Sequence, residues 1–446
     1  MGLTRTAVVW FRRDLRLHDL PTSAAAAAAG DQALALFVLD DALLRPSGAA
    51  RTAFLYRCLR ALDADLGGRL LVLRGDPVAV LPQVVEQVGA DSVHISADYA
   101  PYGAARDAAV AERVPLVRTG SPYAVAPGRI RKADGTPYRV FTPFSRAWHE
   151  HGWRSPARTA ADTVAWLDPT DFPGRVEIPD DPALDAELPP AGERAALAAW
   201  RQYRDEGLAE YPALRDRPDR DATSRLSPYL KFGCLHPRTL LAEAAAGSVF
   251  VTELAWREFY ADVLFHRPET ARHNYITRFD RMGYATGPEA DELFAAWCAG
   301  RTGYPIVDAG MRQLLAEGWM HNRVRMITAS FLTKDLHLPW WWGARHFLRY
   351  LVDGDLASNQ HGWQWVAGTG TDASPFVRVF NPLTQGEKFD PAGDYVRRWV
   401  PELRGVAGKA VHRVGAAPPV GYPPPIVDHA IERRVALDRY EQIRDR

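Results

Sequence analysis

The stretch RLLVLRGDPVAVLPQVVEQVGADSVHISADY, residues 69–99, decides the fold. Its first run, RLLVLRG, is apolar at consecutive rather than alternate positions, the signature of a strand buried on both faces. PVAVLPQVVEQVG then carries a helical pattern, and SVHISADY returns to a short β-rich run. Strand, amphipathic helix and strand make a βαβ unit, whose two strands lie parallel in one sheet.

The same alternation continues on both sides. Upstream stand AVVWF (7–11), an alanine-rich helix, ALALFVLD (33–40) and the helix RTAFLYRCLRALDADL (51–66); downstream stand the helix YGAARDAAVAERV (102–114) and PLVRTG (115–120). Residues 1–125 therefore predict a doubly wound, Rossmann-like parallel-sheet α/β domain. No G-x-G-x-x-G follows the first strand, where the turn reads FRRDLRLHD (11–19). A dinucleotide site at that turn is not expected, although the crevice at the strand ends is open to another ligand.

Residues 126–190 are rich in proline and polar residues and show no sustained period, which predicts a long, ordered connector. From ERAALAAWRQYRDEG (193–207) onward the period is helical almost to the end, and ten of the fourteen tryptophans lie there. Residues 191–446 are expected to form an all-α domain, closed by a last helix after YPPP.

The 446 residues suffice for two or three domains. Charges interrupt the opening MGLTRTAVVWFRRDLRL and no run of 18 apolar residues occurs, so neither a signal peptide nor a membrane span is expected. Three scattered cysteines, Cys58, Cys234 and Cys298, fit neither a disulfide framework nor a zinc cluster and imply a reducing, cytoplasmic setting. The formal net charge is zero, which argues against a wholly electrostatic nucleic-acid binder but permits a local basic face.

The sequence contains no H-E-x-x-H, C-x-x-C, P-loop lysine motif or G-x-S-x-G elbow, so no metal, phosphoryl or acyl-transfer chemistry is indicated. Between His321 and Tyr350 five cations face the single anion Asp335, a net of +4, interleaved with Phe331, Trp340, Trp341, Trp342 and Phe347. Such a surface suits stacking on nucleic acid; a helical core with snorkelling arginines reads the same way and is favoured on this stretch alone. Next comes YLVDGDLASNQHGWQWV, where Gly354 between Asp353 and Asp355 allows close backbone approach to a ligand.

These residues carry a resemblance to the DNA photolyase and cryptochrome family. The blocks are WFRRDLRLHDLP (10–21), GTPYRVFTPFSRAW (135–148), TSRLSPYLKFG (223–233), ELAWREFY (253–260), GYPIVDAGMRQLLAEGWMHNRVRMITASFLTKDL (303–336) and DGDLASNQHGWQWVAGTGTDASPFVRVFNPLTQGEKFD (353–390). Within the family the chain looks most like the bacterial class I cyclobutane-pyrimidine-dimer photolyases.

The resemblance implies an N-terminal antenna domain and a helical domain that holds FAD, active as the fully reduced anion. By similarity Tyr211, Thr223, Ser224, Arg225, Leu226 and Ser227 hold the phosphate region, and Arg257, Asp353, Gly354 and Asp355 face the ring and ribityl-phosphate, with Arg325 paired to Asp353. Asn359 corresponds to the residue facing flavin N5. On the substrate side, Trp256 and Trp365 would receive a pyrimidine dimer flipped from ultraviolet-damaged DNA, with Glu253, Asn322 and Met326 around it. Glu253, protonated, would steady negative charge on the dimer, and Arg323 and Arg215 would hold backbone phosphates.

The implied reaction is light-driven carbon-carbon lysis: the photoexcited cofactor lends an electron, the cyclobutane ring opens, and the electron returns. No metal is implied. The alternative is a cryptochrome-like blue-light photoreceptor without repair. Family members re-reduce flavin through three tryptophans; Trp363 and Trp340 match two, but the third falls on Gly287, leaving Tyr284, Trp341 or Trp342 as the terminus. For the antenna, a folate-type site (methenyltetrahydrofolate) would want a glutamate at Gly103, so a deazaflavin is favoured, with Arg51 and Asp98 as contacts. A monomer is expected.

Overall fold

The structure, a computed structural model, describes residues 4–372 and 378–444. Five strands, β1 Thr6–Phe11, β2 Gln32–Leu39, β3 Leu70–Arg74, β4 Ala90–Ile95 and β5 Leu116–Arg118, form one parallel sheet in the order β3-β2-β1-β4-β5. Every residue of β1 is buried, because helices cover both faces, as the unbroken apolar runs require. Val8 pairs with Leu34 on one side and Val93 on the other, so the chain reverses its winding between β1 and β4. Such a switch point is where ligands enter open α/β sheets.

Helices of eight or more residues are α1 Pro21–Ala29, α2 Ala49–Asp65, α3 Pro77–Val88, α4 Pro101–Ala111, α5 Phe141–His151, α6 Glu193–Glu206, α7 Val249–His266, α8 Pro288–Cys298, α9 Pro305–Glu317, α10 Asn322–Ser330, α11 Trp340–Tyr350, α12 Leu356–Ala367, α13 Pro382–Phe389 and α14 His429–Arg444. A π-helical turn, Phe331–Asp335, continues α10. Among the described residues no helix is long and apolar enough to cross a membrane.

Two compact units result. One gathers Met1–Leu184, Pro189–Leu208 and Ser224–Pro268; the other gathers Asp185–Leu188, Ala209–Thr223 and Glu269–Arg446. In the first unit the stretch after the sheet is more regular than its composition suggests: α5 stands inside it and packs on α7 through Phe141, Phe144 and Phe259. Glu258 on α7 fastens the chain before α5 by accepting bonds from the backbone of Ala124 and Val125 and from Trp148 Nε1. Burial raises the Glu258 carboxyl above the usual range, and those three donors oppose the rise. Cys58 Sγ and Cys234 Sγ lie 3.5 Å apart as buried thiols in the same unit.

In the second unit a continuous core runs through α8 to α13, built on Trp297, Met311, Leu314, Phe331, Trp340 and Tyr395.

Candidate cofactor and substrate site

Helix α12 begins where Asp355 caps it, its Oδ1 accepting the Ser358 N–H at 3.1 Å. Two residues turn a helix by about 200°, so Trp363 and Trp365 must face opposite ways. Trp363 is buried, against Phe347 at 4.9 Å and Trp297 at 6.0 Å between ring centroids, while Trp365 is half-exposed. Asn359, half-buried, stands one turn before Trp363 on the same face, its Nδ2 donating to Ala344 O at 3.1 Å and Gln360 Oε1 at 2.8 Å.

Helix α12 sits close to α11 because position 343 is glycine; a Cβ there would come within 2.1 Å of the Trp363 ring. Trp340 lies one turn earlier on α11, fully buried, with Nε1 donating to Asn274 Oδ1 at 2.9 Å. Gln364 and Gln360 clamp α12 from behind, their amides donating to Thr270 O at 2.8 Å and Ala271 O at 2.6 Å. The polar glutamines of the sequence stretch are thus partly structural, a role the sequence alone did not assign.

Ahead of α12, Asp353 is buried and its Oδ2 receives Arg325 Nη2 at 2.8 Å. Arg325 is fixed in turn by its Nε bond to Met320 O. The other carboxylate oxygen, Asp353 Oδ1, and the indole nitrogen of Trp363 are buried with no hydrogen-bond partner among the protein atoms. Asp353 is one of the residues assigned to the flavin, and its unpartnered oxygen fits a polar ligand seated against it.

On α10, Asn322 is exposed and Arg323 and Met326 half-buried. Arg323 is held on three sides: Nε and Nη2 reach Asp216 Oδ1 at 3.1 and 2.8 Å, Nη1 points at Met326 Sδ, 3.8 Å away, and the guanidinium lies 4.5 Å above Phe389. Asp216 is a second residue that sequence reasoning missed, although it adjoins Arg215, which itself lies over the Tyr211 ring at 5.6 Å.

In the first unit, Glu253, Trp256, Arg257 and Tyr260 form one half-exposed stripe of α7 at i, i+3, i+4 and i+7. Trp256 is stacked flat on Phe141, 3.7 Å and 8°. Arg257 donates to Pro122 O and Leu230 O and lies over Tyr123. Ser224 to Leu226 approach the short helix Ser227–Phe232, with Arg225 in the left-handed region at φ +47°; Thr223 belongs to the second unit.

At the carboxyl ends of β1 and β4, Arg12 and Arg106 both lie over Trp10, at 4.5 and 4.9 Å, and both bond Asp107. Asp98 is flanked by Arg13 and Arg106 at 3.8 and 3.7 Å. Burial pushes its carboxyl up, but Arg13, Arg106 and Arg12 together hold it below the ordinary value. A side chain at Gly103 would meet the Asp98 carboxylate at 2.1 Å, so a larger residue there would have to displace the Asp98 side chain. Arg51 donates to Ser47 Oγ at 3.3 Å.

Residues 7–162 match the family described as DNA photolyase, and residues 250–442 match the FAD binding domain of DNA photolyase. A deoxyribodipyrimidine photo-lyase of Streptomyces griseus is 44% identical, over 97% of this chain and 98% of its own. Among solved structures, a bacterial class III photolyase from Agrobacterium tumefaciens superposes with a TM-score of 0.91 at 37% identity, covering 100% of this chain and 99% of the other. An archaeal photolyase from Sulfolobus tokodaii, solved with two FAD molecules, gives 0.85 at 30% identity, covering 98% and 100%.

Proposed function

The chain belongs to the DNA photolyase family, and from that premise we propose that it is a light-dependent DNA repair enzyme, a deoxyribodipyrimidine photo-lyase that splits cyclobutane pyrimidine dimers. FAD, when bound in its reduced anionic form, supplies the photoexcited electron for ring opening and recovers it afterwards. The single observation that carries the reading is that Asn359 and the buried Trp363 share one face of α12 while the half-exposed Trp365 turns to the other, together with the unpartnered Asp353 Oδ1.

In the second unit, Arg325 fixes Asp353 so that its other oxygen is presented to the ligand, and Asn359, its Nδ2 donating to Ala344 O and Gln360 Oε1, offers its amide oxygen to the flavin ring. Tyr211, Thr223, Gly354 and Asp355 belong to the same cofactor set, together with Ser224, Arg225, Leu226, Ser227 and Arg257 of the first unit. Trp365, Asn322 and Met326 of the second unit and Trp256 and Glu253 of the first are the groups offered to the flipped dimer. Glu253 holds the dimer's polar edge and steadies the charge that arrives with the electron. Arg323 and Arg215 take the phosphates. By role the chain divides into an antenna domain (1–125), a connector (126–190) and a FAD- and DNA-binding catalytic domain (191–446).

A second chromophore in the antenna domain extends the absorbed spectrum, and a deazaflavin with contacts at Asp98 and Arg51 is the proposed occupant. Glycine at 103, where a folate-type site would want a glutamate, supports that choice over a folate. Mass and absorption of the chromophore released from protein made in its native host decide it. The repair reading is tested by illuminating the protein with a dimer-containing oligonucleotide beside a dark control; monomeric thymines are expected only in the light. Their absence on both single- and double-stranded substrate overturns the reading and leaves a photoreceptor.

A further inference from the structure

A groove of about 540 Å³ runs along the last helix, α14, lined by Arg281, Tyr284, Asp438, Arg439 and Gln442. Tyr284 also lines a narrower pocket whose wall includes Trp340, His337 and Tyr440. One phenol therefore borders both the solvent-open groove and the enclosure of a buried indole. From Trp340 outward the rings make a continuous line. Trp340 meets Trp341 at 5.9 Å and 84°, and Trp341 meets Tyr284 at 5.2 Å and 78°. Trp340 is fully buried while Trp341 and Tyr284 are half-buried, so three oxidisable rings step from core to surface.

The competing branch is interrupted. From Trp363 it passes to Trp297 at 6.0 Å, but then reaches Trp342 through Phe294 and Tyr350 through His346. Phenyl and imidazole rings are much harder to oxidise than indole or phenol, so neither relays an electron vacancy well. Gly287, where a third indole was looked for, starts α8 with φ +82° and nothing within 4 Å of its Cβ position.

We propose that Tyr284 is the terminal electron donor of this chain and that the groove beside it binds a small anionic reductant of the enediolate class. The proposal rests on the flavin reading above. The charge of the groove fits: Arg281 and Arg439 outnumber Asp438, and Arg439 is anchored by a 2.8 Å bond to Gly283 O. A vacancy on Trp340 passes to Trp341, which takes an electron from Tyr284. Burial pushes the Tyr284 phenol up to about 12, so it is protonated at working pH and must release that proton to water as it becomes a neutral phenoxyl. The enediolate then gives the phenoxyl one hydrogen atom. An O–H bond breaks on the reductant, one forms on Tyr284, and the reductant leaves as its one-electron-oxidised radical anion.

Ascorbate is the probe. Holoprotein with oxidised FAD is illuminated with rising ascorbate, and with neutral dithiothreitol in parallel, while the initial rate of flavin reduction is followed. Saturation with ascorbate is expected, at a half-saturation that rises with salt. Arg439→Gln should raise the ascorbate-to-dithiothreitol ratio of half-saturations about fivefold, the effect of one charge a few ångströms away in an open groove. Tyr284→Phe should lower the rate about tenfold and remove a tyrosyl electron-spin-resonance signal that, in the wild type, responds to ring-deuterated tyrosine. Trp341→Phe, which interrupts the line without altering the groove, should remove the same signal.

A wild-type rate and signal in Tyr284→Phe overturn the donor, and an ascorbate dependence indifferent to Arg439→Gln overturns the site. Wild-type protein reduced with dithionite and lit on dimer DNA reports the repair reading separately: no repair there, with the tyrosyl signal intact, sinks that reading and spares the donor.

Discussion

Two tryptophans separated by one glutamine were legible in the sequence as an oddity, and helix geometry alone gives them opposite faces. Their different surroundings were not legible, because Phe347, Trp297 and Gly343 come from elsewhere in the chain. Glu253 was found through the resemblance, since a lone glutamate on a helix has no signature of its own. Glu253→Ala should lower repair yield per absorbed photon about tenfold, the worth of one hydrogen bond to a charged group, with FAD content unchanged; an unaltered yield removes the carboxyl from the dimer site. Lys334 was one of five cations in a stretch whose favoured reading was a helical core, and it is buried, with Nζ donating to Arg378 O at 2.8 Å. Burial lowers its amine to about 7, with Asp335 opposing. Between that value and the ordinary 10.5 the unfolded chain holds a proton that the folded chain lacks. The lysine's contribution is thus complete above the unfolded value and lost as pH falls through the folded one. Stability should rise by up to about 1.4 kcal/mol per pH unit over that window; denaturant midpoints of Lys334→Met measured across it should lose the slope.

Elements were legible wherever one periodicity ran unbroken. The strands and α3 followed from residues 69–99 alone, because consecutive apolar residues leave a strand no solvent face. Helix α5 was missed although Phe141, Phe144 and Trp148 carry its apolar stripe at i, i+3 and i+7. Pro137 and Pro143 drowned the signal; Pro143 falls in the first turn, where a missing N–H costs nothing. The close approach of α11 and α12 was also invisible, since a glycine in a helix says only that something comes near. Gly343→Ala should drive a methyl into Trp363 and cost about 1–3 kcal/mol of overpacking, read as a lower melting temperature together with slower photoreduction. A variant as stable and as photoreducible as the wild type would show that the helices part easily.

At the scale of the molecule, the zero net charge means that any affinity for DNA comes from local groups rather than from the overall field. Arg323, one of the proposed phosphate ligands, is braced by Asp216 and Phe389. Arg323→Ala should weaken binding and reduce the slope of log affinity against log salt by about 1, measured by titration of dimer DNA at several salt concentrations; an unchanged slope takes Arg323 off the phosphates. The two-part architecture was legible, but the grouping of 224–268 with the sheet was not. It depends on contacts such as Glu258 to Ala124, more than a hundred residues away in sequence, for which periodicity carries no information.

The half turn between Trp363 and Trp365 also bears on how such a helix can drift over generations. Residues of this helix without packing or clamping contacts can change to others of similar size, but the count of residues between the two indoles cannot. Deleting Gln364 would leave them about 100° apart and rotate one out of its setting. Substitutions along this helix should therefore accumulate among descendants while insertions and deletions are purged, and a search for distant kin is better guided by the interval than by the residues that fill it.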